Sequence, residues 1–159
     1  MKSEFIQQYA HTWRVFERMV RDFDSDAWMH VGRGTTVPVR ISFHVLQGVK
    51  YYLEDASTSS FASGKSFETN CWEAEEQELP SQSDILACID VFREKTGKWL
   101  SEMDLDAVNE SFEWAGKTKA GIALFLLRHN VYHIGQLSSL LNESQDGDVE
   151  GHFVKAIQR

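Results

Sequence analysis

The chain has 159 residues, of which 42% are hydrophobic, and it contains five tryptophans. That supplies a sizeable core for one domain spanning 1–159 and excludes a disordered composition. The formal net charge is -8 and the calculated pI about 5.2. With no Lys/Arg cluster to neutralise phosphates, direct nucleic-acid binding is not expected.

Phe5, Tyr9, Trp13, Phe16 and Val20 recur at spacings of three and four, which predicts a first helix over 4–20. Ser3 is a candidate cap. His11 lies off that stripe and reads as a surface or boundary residue, or as one at a pocket edge. The N-terminal stretch lacks the basic, apolar and small-residue runs of a secretory signal, so the expected location is the cytoplasm.

Residues 21–38 read as a connection with a short turn starting at Asp24 or Ser25. Gly32-Arg33-Gly34 resembles a phosphate loop only superficially, since the full glycine spacing and a following Lys-Ser/Thr are missing. His30 is an unassigned loop histidine. Pro38 suits a first helical turn, and Ile41, Val45, Val49 and Tyr52 predict a second helix over 38–55. His44 lies beside that stripe, facing the same general direction as Gly48 and Tyr51.

The next stretch, 56–80, is a long connection that could cover a pocket. Phe61, Phe67 and Trp72 either line that pocket or anchor the connection, and Glu73, Glu75, Glu76 and Glu78 read as a solvated face. Cys71 and Cys88 match no redox or zinc spacing and read as simple thiols. Ser81 or Ser83 caps a third helix over 81–96, with Ile85, Leu86, Ile89 and Phe92 as core and Gly97 as interruption. Met103, Leu105, Val108, Phe112 and Trp114 anchor the following link, and the alternation at Phe112 and Trp114 suggests a short extended piece.

The fourth main helix is predicted over 117–142. It is densely apolar, but too short and interrupted for a membrane span. The polar run after it ends the helix, and His152, Phe153, Val154 and Ile157 form a small amphipathic tail. Four main helices with irregular links imply an all-α, antiparallel four-helix bundle with a long connection between the second and third helices.

His129 and His133 stand four residues apart, so an uninterrupted helix places both imidazoles on one face about a turn apart. A shared ion needs at least one more protein ligand, and His44 is the candidate. Zinc, nickel and ferrous iron all accept imidazole, and three histidines leave a position open for water or substrate. Asn, Val and Tyr at 130–132 supply no glutamate, which excludes the HExxH protease arrangement. The alternative is histidines satisfied by carbonyls or nearby acids. Asn130 and Gln136 are candidates for hydrogen bonds that orient the ligands. Gly135 would permit close helix packing, and Tyr132 reads as a core residue with its hydroxyl at a boundary.

The segment His129-Asn130-Val131-Tyr132-His133-Ile134-Gly135-Gln136-Leu137 resembles the HxxxHxGQ signature of the DinB/YfiT-like metalloenzyme superfamily. Ile41-Ser42-Phe43-His44-Val45-Leu46 resembles its second-helix histidine region. The likeness implies a four-helix bundle, a divalent-metal site at His44, His129 and His133, and a homodimer. It also implies a reaction class: S-transfer with a low-molecular-weight thiol as cofactor and an electrophilic substrate. A metal-dependent hydrolase and a non-catalytic metal-binding stress or regulatory protein are the alternatives. The 56–80 connection departs from the family pattern and would act as a distinctive cover over the site.

Overall fold

The computed structural model describes residues 1–145, and the expected amphipathic tail at His152, Phe153, Val154 and Ile157 lies outside them. Five α-helices form the described part: α1 (Lys2–Asp22), α2 (Ser25–His30), α3 (Pro38–Tyr52), α4 (Gln82–Glu102) and α5 (Lys119–Ser144). Among the described residues there is no β-strand, only isolated bridges such as Val108 with Thr118. The chain is therefore all-α. The longest helices contact one another in a closed circuit: α1 packs on α4 and α5, and α3 packs on α5 and α4.

Apolar periodicity explains these contacts. On α1, Tyr9, Trp13, Phe16, Met19 and Val20 are buried along one stripe. Burial of each such side chain contributes roughly 1.5–3 kcal/mol. The Tyr9 hydroxyl donates to the Ala123 carbonyl at 2.6 Å, which places a polar bond inside the α1–α5 seam. Ser3 lies within α1 and bonds to Glu4 rather than capping the helix.

The short turn expected after Asp24 is α2, with the Asp24 side chain capping the amides of Asp26 and Ala27. Gly32 has a φ of 115°, and a Cβ there would meet the Thr36 carbonyl oxygen at 2.1 Å. The Gly-Arg-Gly run is thus a tight turn into Pro38.

Helix α3 ends at Tyr52 rather than at 55. Asp55 N–H bonds back to the Lys50 carbonyl, and Glu54 N–H to that of Tyr51. Glu54 adopts a φ of 52°, the left-handed conformation glycine usually occupies after a helix. Helix α4 is capped by Ser81, with a reciprocal bond from Asp84, and runs past Gly97 to Glu102. A Cβ on Gly97 would meet nothing within 4 Å, so the lone glycine costs only its backbone entropy, about 1 kcal/mol.

The 53–81 connection is tied to α3. Arg40 donates to the carbonyls of Cys71 and Ala74, both at 2.8 Å. Gln47 donates to those of Phe67 and Thr69 at 2.9 and 2.8 Å. Phe61 and Phe67 pack edge-on against Phe43, so these two aromatics anchor the segment. Cys71 and Cys88 are buried free thiols. The acidic run from Glu73 to Glu78 faces solvent.

In the link to α5, Met103, Leu105 and Phe112 are buried, whereas Val108 and Trp114 are exposed. The expected extended piece is instead a 3-10 turn, Glu113–Ala115. Asn109 shapes it by donating to the Phe112 and Gly116 carbonyls. The free amides at the start of α5 are satisfied by backbone: Lys119 donates to Ala107 and Ala120 to Leu105, each at 2.9 Å. No helix among the described residues is long and apolar enough to cross a membrane.

Candidate metal centre

Helices α3 and α5 lie side by side, and their contact carries the three histidines singled out by spacing. His44 projects from α3, and His129 and His133 from successive turns of α5. One nitrogen of each lies within 4.8 Å of the others. The Nε2 atoms of His44 and His129 are 3.1 Å apart. The ring centroids are separated by 5.0 Å for His44–His129 and by 4.6 Å for His44–His133 and His129–His133.

Close approach depends on Gly48, one turn along α3 from His44. A Cβ at this position would stand 2.8 Å from Cε1 of His129. The missing side chain is therefore the space the His129 ring occupies. Gly48 was visible in the sequence as a residue on the His44 face. A glycine inside an otherwise regular helix is the signal that another group approaches the backbone there.

The other ring nitrogens are tied to amides. His133 Nδ1 is 2.7 Å from the Gln136 side-chain oxygen, and His129 Nδ1 is 3.3 Å from that of Asn130. An amide oxygen only accepts, so each Nδ1 is placed to donate its proton, which leaves the lone pair of each ring on Nε2. Two lone pairs near a third imidazole suit a cation. Tetrahedral Zn–N bonds of about 2.0–2.1 Å would hold two nitrogens roughly 3.3 Å apart, close to the His44–His129 separation. The donor set therefore fits a divalent ion.

The electrostatics favour the ligand form of each ring. All three histidines are half-buried. Burial, with smaller contributions from charge on His133 and His129, lowers the His44 pKa to about 4. Burial also holds His129 and His133 below the usual imidazole range, against the opposing bonds from Asn130 and Gln136. Neutral imidazole at neutral pH is what metal binding requires.

The surroundings divide the expectations. Trp72 is the one aromatic of the long connection that reaches the centre, its ring 5.0 Å from that of His44. Asn130 is buried. Tyr132 is not a core residue: it is 64% exposed, with its ring 5.0 Å from that of His133. Gly135 does not mediate close packing, since a Cβ there meets nothing within 4 Å. His11 lines a separate groove between α1 and α5. His30 ends α2 and lies 3.2 Å from Asp26, away from the cluster.

Comparison of the chain with protein-family models, with curated proteins and with solved structures finds no match in any of the three. Fold and site together define an all-α protein with a three-histidine cluster able to hold a metal ion.

Proposed function

We propose that the chain is a metal-dependent S-transferase of the DinB/YfiT-like kind. In this reading the four long helices are its antiparallel bundle, and His44, His129 and His133 hold one divalent ion (zinc, nickel or ferrous iron). A low-molecular-weight thiol is the nucleophile and a small electrophile the acceptor. The observation that carries the reading is the convergence of three imidazole nitrogens within 4.8 Å, on residues that also match the HxxxHxGQ pattern.

An ion held by three neutral imidazoles would supply Lewis acidity, which lowers the pKa of a thiol or water at a remaining position. The chain's own groups do the rest. Gln136 and Asn130 hold the His133 and His129 rings in the ligating tautomer. The Trp72 ring packs beside His44, with the ring centroids 5.0 Å apart.

Among the described residues the cluster contains histidines and no carboxylate. A thiol, with an ordinary pKa near 8.5, would be activated by such an ion. Water on the same ion would be a nucleophile near neutral pH without a separate base, so a metal-dependent hydrolase is the second reading.

The test is anaerobic metal analysis and titration of metal-free protein, coupled to a panel of small thiols and electrophiles. Stoichiometric binding that is lost in His44→Ala, His129→Ala and His133→Ala, with thiol-dependent turnover, is the expected result. Undiminished binding in those variants overturns the site. Metal binding without turnover would instead make this a metal-binding stress or regulatory protein. Light scattering tests the accompanying homodimer.

A further inference from the structure

A cavity of about 620 Å³ opens where the C-terminal half of α3 meets the two long connections. Its volume lies in the range of small-molecule sites. Gln47, Lys50, Tyr51, Glu54, Phe67 and Phe112 are among the residues that line it, and none of the three histidines does.

The charges on its wall are unequally compensated. The Lys50 ammonium is paired with the Glu68 carboxylate and lies 6.0 Å from the centre of the Phe67 ring. Asp55 is bound by Lys95 at 2.6 Å. Glu54 has no ion pair among the described residues; its carboxylate accepts only from the Ser111 hydroxyl, at 3.5 Å. One negative charge is left over beside aromatic surface. Tyr51 is 55% exposed, and its ring lies 5.3 Å from that of Phe112. An uncompensated carboxylate next to the open Tyr51 ring selects an organic cation, through a charge-assisted hydrogen bond and cation–π attraction. An organic anion would have to displace Glu68 from Lys50.

We propose that this cavity binds a small aromatic amine, its ammonium on the Glu54 carboxylate and its apolar body along the exposed Tyr51 ring. The site needs no metal ion, so it stands or falls apart from the histidine centre.

Calorimetric titration of chelator-treated protein with tryptamine, and with indole-3-propionate as the matched anion, tests it. Saturable tryptamine binding is expected, with the anion at least about tenfold weaker. Glu54→Gln, which keeps the backbone and removes the charge, should weaken tryptamine about tenfold, as should Tyr51→Ala at its exposed position. Circular dichroism checks that both variants stay folded. Absence of tryptamine binding, equal binding of the anion, or unchanged affinity in folded Glu54→Gln overturns the proposal.

Discussion

The Nε2 atoms of His44 and His129 face each other across 3.1 Å, joining two helices through residues 85 positions apart. A cation that binds there and not to the unfolded chain stabilises the fold by mass action. At a free metal concentration 100 times Kd the gain is about 2.7 kcal/mol. For a chain of this size that is a rise in Tm of roughly 5–10 °C. Thermal unfolding with and without zinc, nickel or ferrous iron should show it, and His44→Ala should abolish it.

Gly48→Ala separates ligand placement from stability. Alanine favours the helix by about 1 kcal/mol, but its Cβ would intrude to 2.8 Å from His129 Cε1. The ring must swing away from His44. Metal affinity should fall at least about tenfold while far-ultraviolet circular dichroism stays unchanged. Wild-type affinity in this variant would show that the His129 position does not matter.

Gln136→Ala removes the acceptor that holds the His133 Nδ1 proton at 2.7 Å. Loss of such a ligand-orienting partner typically costs 10–100-fold in metal affinity. Titration against a chromophoric chelator measures it. A variant as tight as wild type would mean that the tautomer is set elsewhere.

The histidine cluster also makes metal-free protein acid-sensitive. His44 is held at about 4 in the fold, against an ordinary imidazole value of 6.5. Between those values the unfolded chain binds more protons, so stability rises with pH. The contribution is present above about 6.5 and is lost as pH falls toward about 4. Urea midpoints measured across this window should drop in wild type and drop less in His44→Phe. Parallel profiles would count against a depressed His44.

Glu54 offers a gain. Its φ of 52° costs a residue with a Cβ roughly 1–2 kcal/mol that glycine avoids. Glu54→Gly should therefore raise the denaturant midpoint by about 1 kcal/mol equivalent without changing the slope. A lower midpoint would mean that the carboxylate stabilises the fold.

The α1, α3, α4 and α5 stripes were legible because apolar spacing reports directly which face is buried. Helix ends were less so. The end of α3 is set by backbone bonds around a glutamate in a glycine conformation, a choice that composition hides. Gly97 suggested an interruption, but on an open face its cost is too small to break α4. Val108 and Trp114 looked like anchors because apolarity alone does not say which side of an irregular link is covered.

At the centre, His129 and His133 were legible from their four-residue spacing. His44 followed from the need for a third ligand. The access that Gly48 gives to His129, and the approach of Trp72 to His44, depend on tertiary packing and have no local periodicity to betray them. Tyr132 and Gly135 were misplaced for the same reason: they sit beside the clustered histidines in the chain but turn outward.

Two of the three clustered imidazoles belong to α5, and the third precedes them by more than 80 residues. During synthesis on the ribosome, a nascent chain that has completed α1 to α4 presents His44 without its partners and has no means to chelate. Any ion the cluster takes up would therefore be acquired only after α5 has emerged and docked. Cells starved of metal should accumulate an assembled, empty protein rather than a stalled or truncated one.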